Sequence, residues 1–261
     1  MTHEYCPGYP GQYADLVASY PDQTVYSGAS FRTEWGPIFH RGRLDGTARI
    51  LIIGQDPAAH ESFVRRILVG EAGQRVQGLL AKVGLDRSYV MINASLYSEY
   101  NSSATHAVET STTIAAYRNQ WINTLLKGSP ITAVVQLGTQ AADAWSKWKS
   151  SAGHVPAPAT IVKIDHPTAD AHPTSTTTAQ LLANWNTGLT HLAGKVTPEI
   201  PGTPATPVPY GTTFAAGDLI QIPERDLPPG LPSWMRDLDP WAARDGRTGL
   251  VVTVPASAIP T

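Results

Sequence analysis

Three short segments of the chain carry side chains that could do acid–base or hydrogen-bonding chemistry. The first contains Asp56, which follows the apolar run Ile50–Ile53 and precedes Pro57. A carboxylate placed between a buried run and a proline could activate water or stabilise a developing cation. The alternative is an ordinary turn, because Asp before Pro is frequent in loops.

The other two segments contain Asn93 and His166. Asn93 ends the apolar run Tyr89–Asn93. Its amide offers one acceptor and two donors, enough to read the edge of a base, although it could equally cap the strand in an Asx turn. His166 precedes Pro167 and could donate a hydrogen bond to an anion, or be a loop histidine in a turn.

A metal site is the competing interpretation of the histidine segment. His166, Asp170 and His172 could serve as ligands, but three ligands in one short loop, without a helical frame, are weak evidence. The single cysteine, Cys6, excludes an intramolecular disulfide and any site built from several cysteines. We therefore predict no metal.

The elements that must position these residues alternate between strand and helix. β-rich runs predict four strands, at Arg49–Gly54, Tyr89–Asn93, Thr132–Gly138 and Thr160–Asp165. Helical periodicity predicts helices at Glu71–Val83, Thr112–Leu126, Thr139–Lys149 and Thr177–Leu192. This alternation predicts an α/β fold in which helices cover both faces of a central, mainly parallel four-stranded sheet. Ligands of such sheets bind beyond the carboxyl ends of the strands, where Asp56, Asn93 and His166 all fall.

Composition narrows the function classes. The chain has 261 residues, 42% of them hydrophobic, and a net charge of −2. No apolar run approaches the roughly 18 residues of a membrane-spanning helix, and Met1–Pro10 lacks the basic and apolar parts of a signal peptide. We therefore expect a cytoplasmic protein with no membrane partner. The near-zero charge excludes a histone-like binder but leaves room for a local DNA-binding face.

Three regions follow from these patterns. Residues 1–47 are irregular and are predicted to be a helical and loop segment packed on the core, and residues 48–195 hold the alternating elements. Residues 196–261 contain 12 of the 22 prolines and are predicted to be a proline-rich extension. That extension either wraps over the main domain or is partly disordered.

In this order, the segments resemble the uracil-DNA glycosylase superfamily. Gly54–Pro57 matches the start of the GQDPYH motif of the branch without a metal cluster, and the spacing from Glu61 to Leu80 is similar to that of the iron–sulfur branch. Asn93 stands where both branches end a strand with a uracil-reading Asn. Val134–Gly138 and His166–Thr168 are similar to the VVxLG strand and to the HPS or HPA motif. The resemblance covers about residues 48–195 and implies a three-layer α/β/α sandwich.

The resemblance implies an enzyme that flips uracil out of DNA and hydrolyses its N-glycosidic bond, leaving an abasic site. Asp56 would stabilise the oxocarbenium-like sugar and orient water, and His166 would donate to the uracil O2. Asn93 would read O4 and N3 of the base, and the main-chain amide of Gln55 would also bind it. The partners would be uracil-containing DNA and free uracil as product, and the enzyme would act as a monomer.

Several positions depart from the superfamily pattern. Ala58 replaces the tyrosine that blocks the thymine methyl group in the GQDPYH branch. Leu68 stands at the base-stacking phenylalanine of the iron–sulfur branch, and the nearby Phe63 could substitute for it. The four cluster cysteines are absent, so we predict no cofactor, neither an iron–sulfur cluster nor a metal.

DNA binding requires Lys or Arg side chains at the phosphates. The candidates are Arg65 and Arg66 in the first motif and Arg41 and Arg43 upstream, although Arg65 and Arg66 could equally form a solvated surface. Thr168 and Asp170 would lie at the DNA as well, with Asp170 at the position where the GQDPYH branch inserts a leucine into the duplex.

Two further functions stay open at this point. The first is a glycosylase for another lesion, such as hypoxanthine or mismatched thymine. The second is a non-catalytic protein that binds damaged DNA or abasic sites. Asn93 together with Asp56 favours uracil, whereas Ala58 leaves the other lesions open.

Overall fold

A central sheet organises the fold. The structure, a computed structural model, describes residues 6–100, 111–171, 176–238 and 240–259. Its main strands are β1 (His40–Gly42), β2 (Ile50–Gly54), β3 (Tyr89–Asn93), β4 (Ala133–Leu137) and β5 (Thr160–Ile164). Within the described residues they form one five-stranded sheet in the order β1-β3-β2-β4-β5. Strands β2 to β5 run parallel, and β1 pairs antiparallel with β3.

Helices cover both faces of this sheet. They are α1 (Gln12–Ala18), α2 (Ala59–Val64), α3 (Glu71–Lys82), α4 (Thr112–Leu126), α5 (Gly138–Ser150) and α6 (Thr178–Leu192). Alternate residues of a strand point to opposite faces, so Leu51 and Ile53 pack with α4 and α5, whereas Ile50 and Ile52 pack with α3 and α6. The predicted α/β/α fold class is therefore confirmed.

The sheet has one strand more than the sequence predicts. His40–Gly42 forms the edge strand β1, in a stretch that the sequence analysis leaves as irregular. Three residues are too few to show the period-2 alternation from which a strand is recognised. Arg41 in this strand is fully buried and pairs with Asp226 at 3.0 Å, so it is not a phosphate contact.

The C-terminal residues make extensive contacts with the rest of the chain. Trp241 and Ile222 pack against Ala59 and Val64 of α2. A hairpin of β6 (Ala242–Asp245) and β7 (Gly249–Val252), which we call the C-terminal hairpin, follows Trp241. Where the structure describes the chain, none of the helices has the length and apolar character needed to cross a bilayer.

Candidate active site

A cleft of about 920 Å³ opens beyond the carboxyl ends of the parallel strands. Six predicted site residues line it, namely Gln55, Asp56, Ala58, Leu68, His166 and Thr168. They come from the segments after β2 and after β5, which the parallel topology brings to the same edge of the sheet.

The Asp56 carboxylate is held from the neighbouring strand connection. Its Oδ2 accepts a hydrogen bond of 2.9 Å from the main-chain N–H of Glu99. Burial raises the pKa of Asp56 to about 6, and the Glu99 N–H and the Arg244 guanidinium oppose this rise. The group is therefore a stronger base than an ordinary aspartate, as water activation requires.

Arg32 holds the segment that contacts Asp56. Its guanidinium lies buried and donates to the carbonyl oxygen of Glu99 and to Ser98 Oγ. The Glu99 carboxylate accepts from Gln140 Nε2 at 3.3 Å. Glu99 is thus held through both its carbonyl oxygen and its carboxylate. These contacts keep its main-chain N–H directed at the Asp56 carboxylate.

The ring nitrogen Nδ1 of His166 contacts Thr168. The main-chain N–H of Thr168 points at His166 Nδ1 at 3.4 Å, and Thr168 Oγ1 lies 3.1 Å from the same nitrogen. Because Nδ1 accepts a hydrogen bond, the ring proton is assigned to Nε2. His166 can thus donate from Nε2.

Asn93 is absent from the described lining of the cleft and instead lines a separate small cavity beside Tyr117 and Trp121. Its side chain is 6% exposed, and its Oδ1 has no hydrogen-bond partner among the described residues. A Cβ added to Gly54 would stand 2.4 Å from this oxygen and 3.7 Å from Leu68 Cδ1, so the amide keeps its position only because residue 54 is glycine. A buried acceptor without a partner is costly in free energy.

Glu61 shapes the loop that carries Ala58 and Leu68. Its carboxylate accepts from the main-chain N–H groups of Ala58, Val69 and Gly70 at 3.0, 2.8 and 3.3 Å. Leu68 adopts a positive φ of 54°, a strained conformation for a side-chain-bearing residue. Its carbonyl lies where any Cβ on Gly73 would stand, which explains why a glycine follows Ala72.

Four residues predicted to contact the base or the DNA are absent from the described cleft lining, namely Phe63, Arg65, Arg66 and Asp170. Phe63 packs against Trp241. Arg65 donates to the carbonyl oxygens of Trp35 and Pro37, whereas Arg66 is buried and donates to Cys6 Sγ. These two arginines therefore hold the protein's own chain, Arg65 through the carbonyl groups of residues 35 and 37 and Arg66 through Cys6 and the carbonyl oxygen of Arg65.

Asp170 also has an internal partner. Its carboxylate pairs with Arg75 at 2.6 Å and accepts from Thr178 Oγ1 at 2.9 Å. It holds the start of α6 against α3, so this carboxylate is engaged within the fold. Its neighbour Thr168 does line the cleft.

Five further residues line the cleft that no sequence motif predicts. Tyr100 lines it from the segment after β3, and Arg244, Leu219, Leu238 and Pro240 line it from the C-terminal residues. The sequence allows the extension to wrap over the main domain, but no motif indicates that one of its arginines reaches the site.

The described residues show no group of three His, Cys, Asp or Glu side chains that could hold a metal ion. Of the three ligands considered from the sequence, His166 lines the cleft and Asp170 pairs with Arg75. His172 lies outside the described residues.

Comparison with known proteins identifies a family. A family model described as the uracil DNA glycosylase superfamily matches residues 41–189, more than half of the chain. No curated protein matches the chain. The matched region contains Asp56, Asn93 and His166 and ends before the C-terminal hairpin.

Proposed function

The chain belongs to the uracil-DNA glycosylase superfamily, and we propose on that premise that it removes uracil from DNA by hydrolysing the N-glycosidic bond. Membership supports DNA-glycosylase activity in general, and uracil as the excised base is our inference. The observation that carries it is the shared cleft of Asp56 and His166. The unpartnered amide oxygen of Asn93 lies beside Gly54, two residues before Asp56.

Catalysis begins with a nucleotide flipped out of the helix, because the target bond is inaccessible in stacked DNA. The bond between C1′ and N1 breaks, its electron pair leaves with the base, and positive charge develops on the sugar. The Asp56 carboxylate stabilises this charge and directs a water to C1′. The water oxygen bonds to C1′ and its proton passes to the carboxylate, which leaves an abasic site and the uracil anion. Asp56 then releases the proton to solvent, and the anion takes up a proton to give uracil.

Two side chains act on the base. His166 donates from Nε2 to O2 of the departing uracil, where negative charge builds up as the bond breaks. The Asn93 amide pairs with N3–H and O4, an arrangement that cytosine presents with the opposite polarity. A buried amide facing the wrong edge would stay unsatisfied, so the pairing can reject cytosine strongly.

The exposed Ala58 favours a second candidate, a glycosylase with a wider base preference. A methyl-sized side chain at this position leaves space beside the base that a larger residue would fill. Mismatched thymine or hypoxanthine are the bases to test.

We expect the enzyme to act as a cytoplasmic monomer without a metal or an iron–sulfur cluster. The cluster would need four cysteine ligands. The chain has only Cys6, whose sulfur lies against Arg66.

A labelled oligonucleotide with one uracil tests the proposal. It is incubated with the protein and EDTA, treated with alkali and resolved on a gel, with thymine and hypoxanthine oligonucleotides beside it. We expect cleavage at uracil. Cleavage at another base would identify the second candidate, whereas retention of DNA without any cleavage would leave a non-catalytic binder.

The variant Asp56→Asn separates catalysis from folding. Loss of the carboxylate should lower the rate of uracil release about 10²–10⁴-fold and leave DNA binding intact. Its melting temperature at pH 7 should be equal or higher, because the raised pKa means that the folded state disfavours the Asp56 charge. Unchanged uracil release by Asp56→Asn would refute the mechanism.

A further inference from the structure

The lining of the cleft is rich in acidic side chains. Among the described residues, the region that matches the family model contributes no Lys or Arg to it. Its lining carries the acidic residues Asp56, Glu61, Glu71 and Glu99. A nucleic acid brings further negative charge, and its affinity comes from Lys and Arg at the phosphates. Arg65 and Arg66, expected in that role, are turned inward.

Arg244 supplies positive charge to this cleft. It is the only Lys or Arg among the described residues of the lining. Its side chain is exposed, and it makes no hydrogen bond or ion pair with any residue that the structure describes. The guanidinium is therefore available to an anion from outside.

The C-terminal hairpin determines the direction of Arg244. Successive side chains of a strand point to opposite sides, so the neighbouring Asp245 is directed away when Arg244 faces the cleft. Asp245 is indeed absent from the described lining. The strand thus directs the Arg244 side chain toward the cleft and the Asp245 side chain away from it.

Hydrogen bonds hold the hairpin at both ends. At its base, His60 Nε2 accepts from the main-chain N–H groups of Trp241 and Ala242, each at 3.3 Å. At its turn, Trp35 Nε1 donates to the carbonyl oxygen of Thr248 at 2.7 Å. A side chain on a strand fixed at two points is well positioned for binding.

A second exposed arginine lies at the turn. One nitrogen of the Arg247 guanidinium donates to the carbonyl oxygen of Gly28 at 3.1 Å, and the group lies 4.4 Å from the ring centroid of Tyr100, which itself lines the cleft. Arg32 approaches the same ring at 4.3 Å and donates to the carbonyl oxygen of Arg247. Positive charge is therefore concentrated on the rim beside Tyr100, in a chain whose net charge is −2.

We propose that the C-terminal hairpin is the phosphate-binding edge of the cleft, where Arg244 and Arg247 bind phosphodiester groups of the DNA strand being repaired. The inference rests on the proposed function for DNA as the ligand. A planar guanidinium matches the geometry of phosphate oxygens and keeps its charge at any working pH. This charge offsets the repulsion between the phosphates and the carboxylates of the cleft.

The test measures binding without chemistry. A fluorescent oligonucleotide that contains no uracil is titrated with the full chain between 50 and 200 mM salt, and anisotropy gives the affinity. Arg244→Gln and Arg247→Gln should each weaken binding and reduce the slope of log affinity against log salt by about 0.9 for duplex or about 0.7 for single strands. Arg244→Lys, which keeps the charge, should retain most of the slope.

Lys149→Gln is the matched control. Lys149 is exposed at the end of α5 that lies away from the cleft, so its removal should leave the slope unchanged. An unchanged affinity and slope in Arg244→Gln would overturn the inference, as would an equal loss in Lys149→Gln. If Arg244→Gln loses slope while no uracil is released in the gel assay, the excision proposal fails and the hairpin inference stands.

Discussion

The main-chain N–H of Glu99 donates a hydrogen bond of 2.9 Å to Oδ2 of Asp56. It joins the loop after β3 to the carboxylate after β2. One oxygen of Asp56 is thereby occupied by a main-chain donor. Because Arg32 binds the carbonyl of Glu99, the orientation of the carboxylate depends on residues from three parts of the chain.

The first prediction concerns the pH dependence of uracil release. Asp56 must be ionised to act, and its pKa is raised to about 6 by burial. The value of kcat/KM should therefore rise as the pH increases through about 6 and level off above it. A rate profile from pH 4.5 to 8 measures this, since kcat/KM reports the free enzyme.

In the same experiment, Arg244→Gln should move the acid limb to higher pH, because Arg244 opposes the rise in the pKa of Asp56. An acid limb near pH 4 in the wild-type protein would show that Asp56 has the pKa of an exposed carboxyl.

The second prediction concerns Glu61, which binds three main-chain N–H groups of the loop between Ala58 and Gly70. Glu61→Ala should lower the free energy of unfolding by about 2–4 kcal/mol, because buried donors lose their acceptor. Uracil release should fall as well, since the loop carries Leu68 into the cleft. Urea denaturation and the gel assay measure the two effects.

The exposed Glu34→Ala serves as the control for Glu61→Ala and should change neither quantity. Full stability in Glu61→Ala would mean that water replaces the carboxylate at these donors.

The third prediction concerns the buried pair between Arg41 of β1 and Asp226. Asp226 Oδ2 also accepts from the Tyr89 hydroxyl at 2.7 Å. Asp226→Ala leaves the fully buried guanidinium without its counter-charge and should cost about 3–5 kcal/mol of stability. Chemical denaturation against the exposed Asp15→Ala checks this, and a loss equal to that of Asp15→Ala would contradict it.

The fourth prediction concerns His40, which is fully buried with no hydrogen-bond partner for its ring nitrogens among the described residues. Burial, aided by the charge of Arg66, lowers its pKa to about 3. Between the unfolded value of about 6.5 and this folded value, only the unfolded chain binds the proton, so stability decreases as the pH decreases.

Replacing His40 by Phe should remove this loss. Between pH 7 and pH 5 the variant should lose about 2 kcal/mol less stability than the wild-type protein. Urea denaturation at both pH values gives the difference, with the exposed His191→Gln as control. Equal pH dependence in His40→Phe and wild type would show that His40 is protonated in the folded state.

Local sequence patterns predict most of the central fold. The strand Tyr89–Asn93 and the helix Thr112–Leu126 have the predicted bounds, because each has a clear apolar pattern. The positions of Asp56 and His166 after parallel strands follow from the same alternation, since parallel strands share one carboxyl edge. The edge strand His40–Gly42 is not predicted, because three residues are too few to show the alternation of apolar and polar side chains from which a strand is recognised.

Tertiary structure alone decides what the charged side chains do. Arg65 and Arg66 look like exposed cations in the sequence, yet carbonyl groups from residues 35–37 and the sulfur of Cys6 surround them in the fold. Arg244 has no local signal and reaches the cleft only because the C-terminal hairpin is bound at His60 and Trp35. Apolar periodicity is a local property of the chain, whereas the partner of a charge is set by segments that only folding brings together.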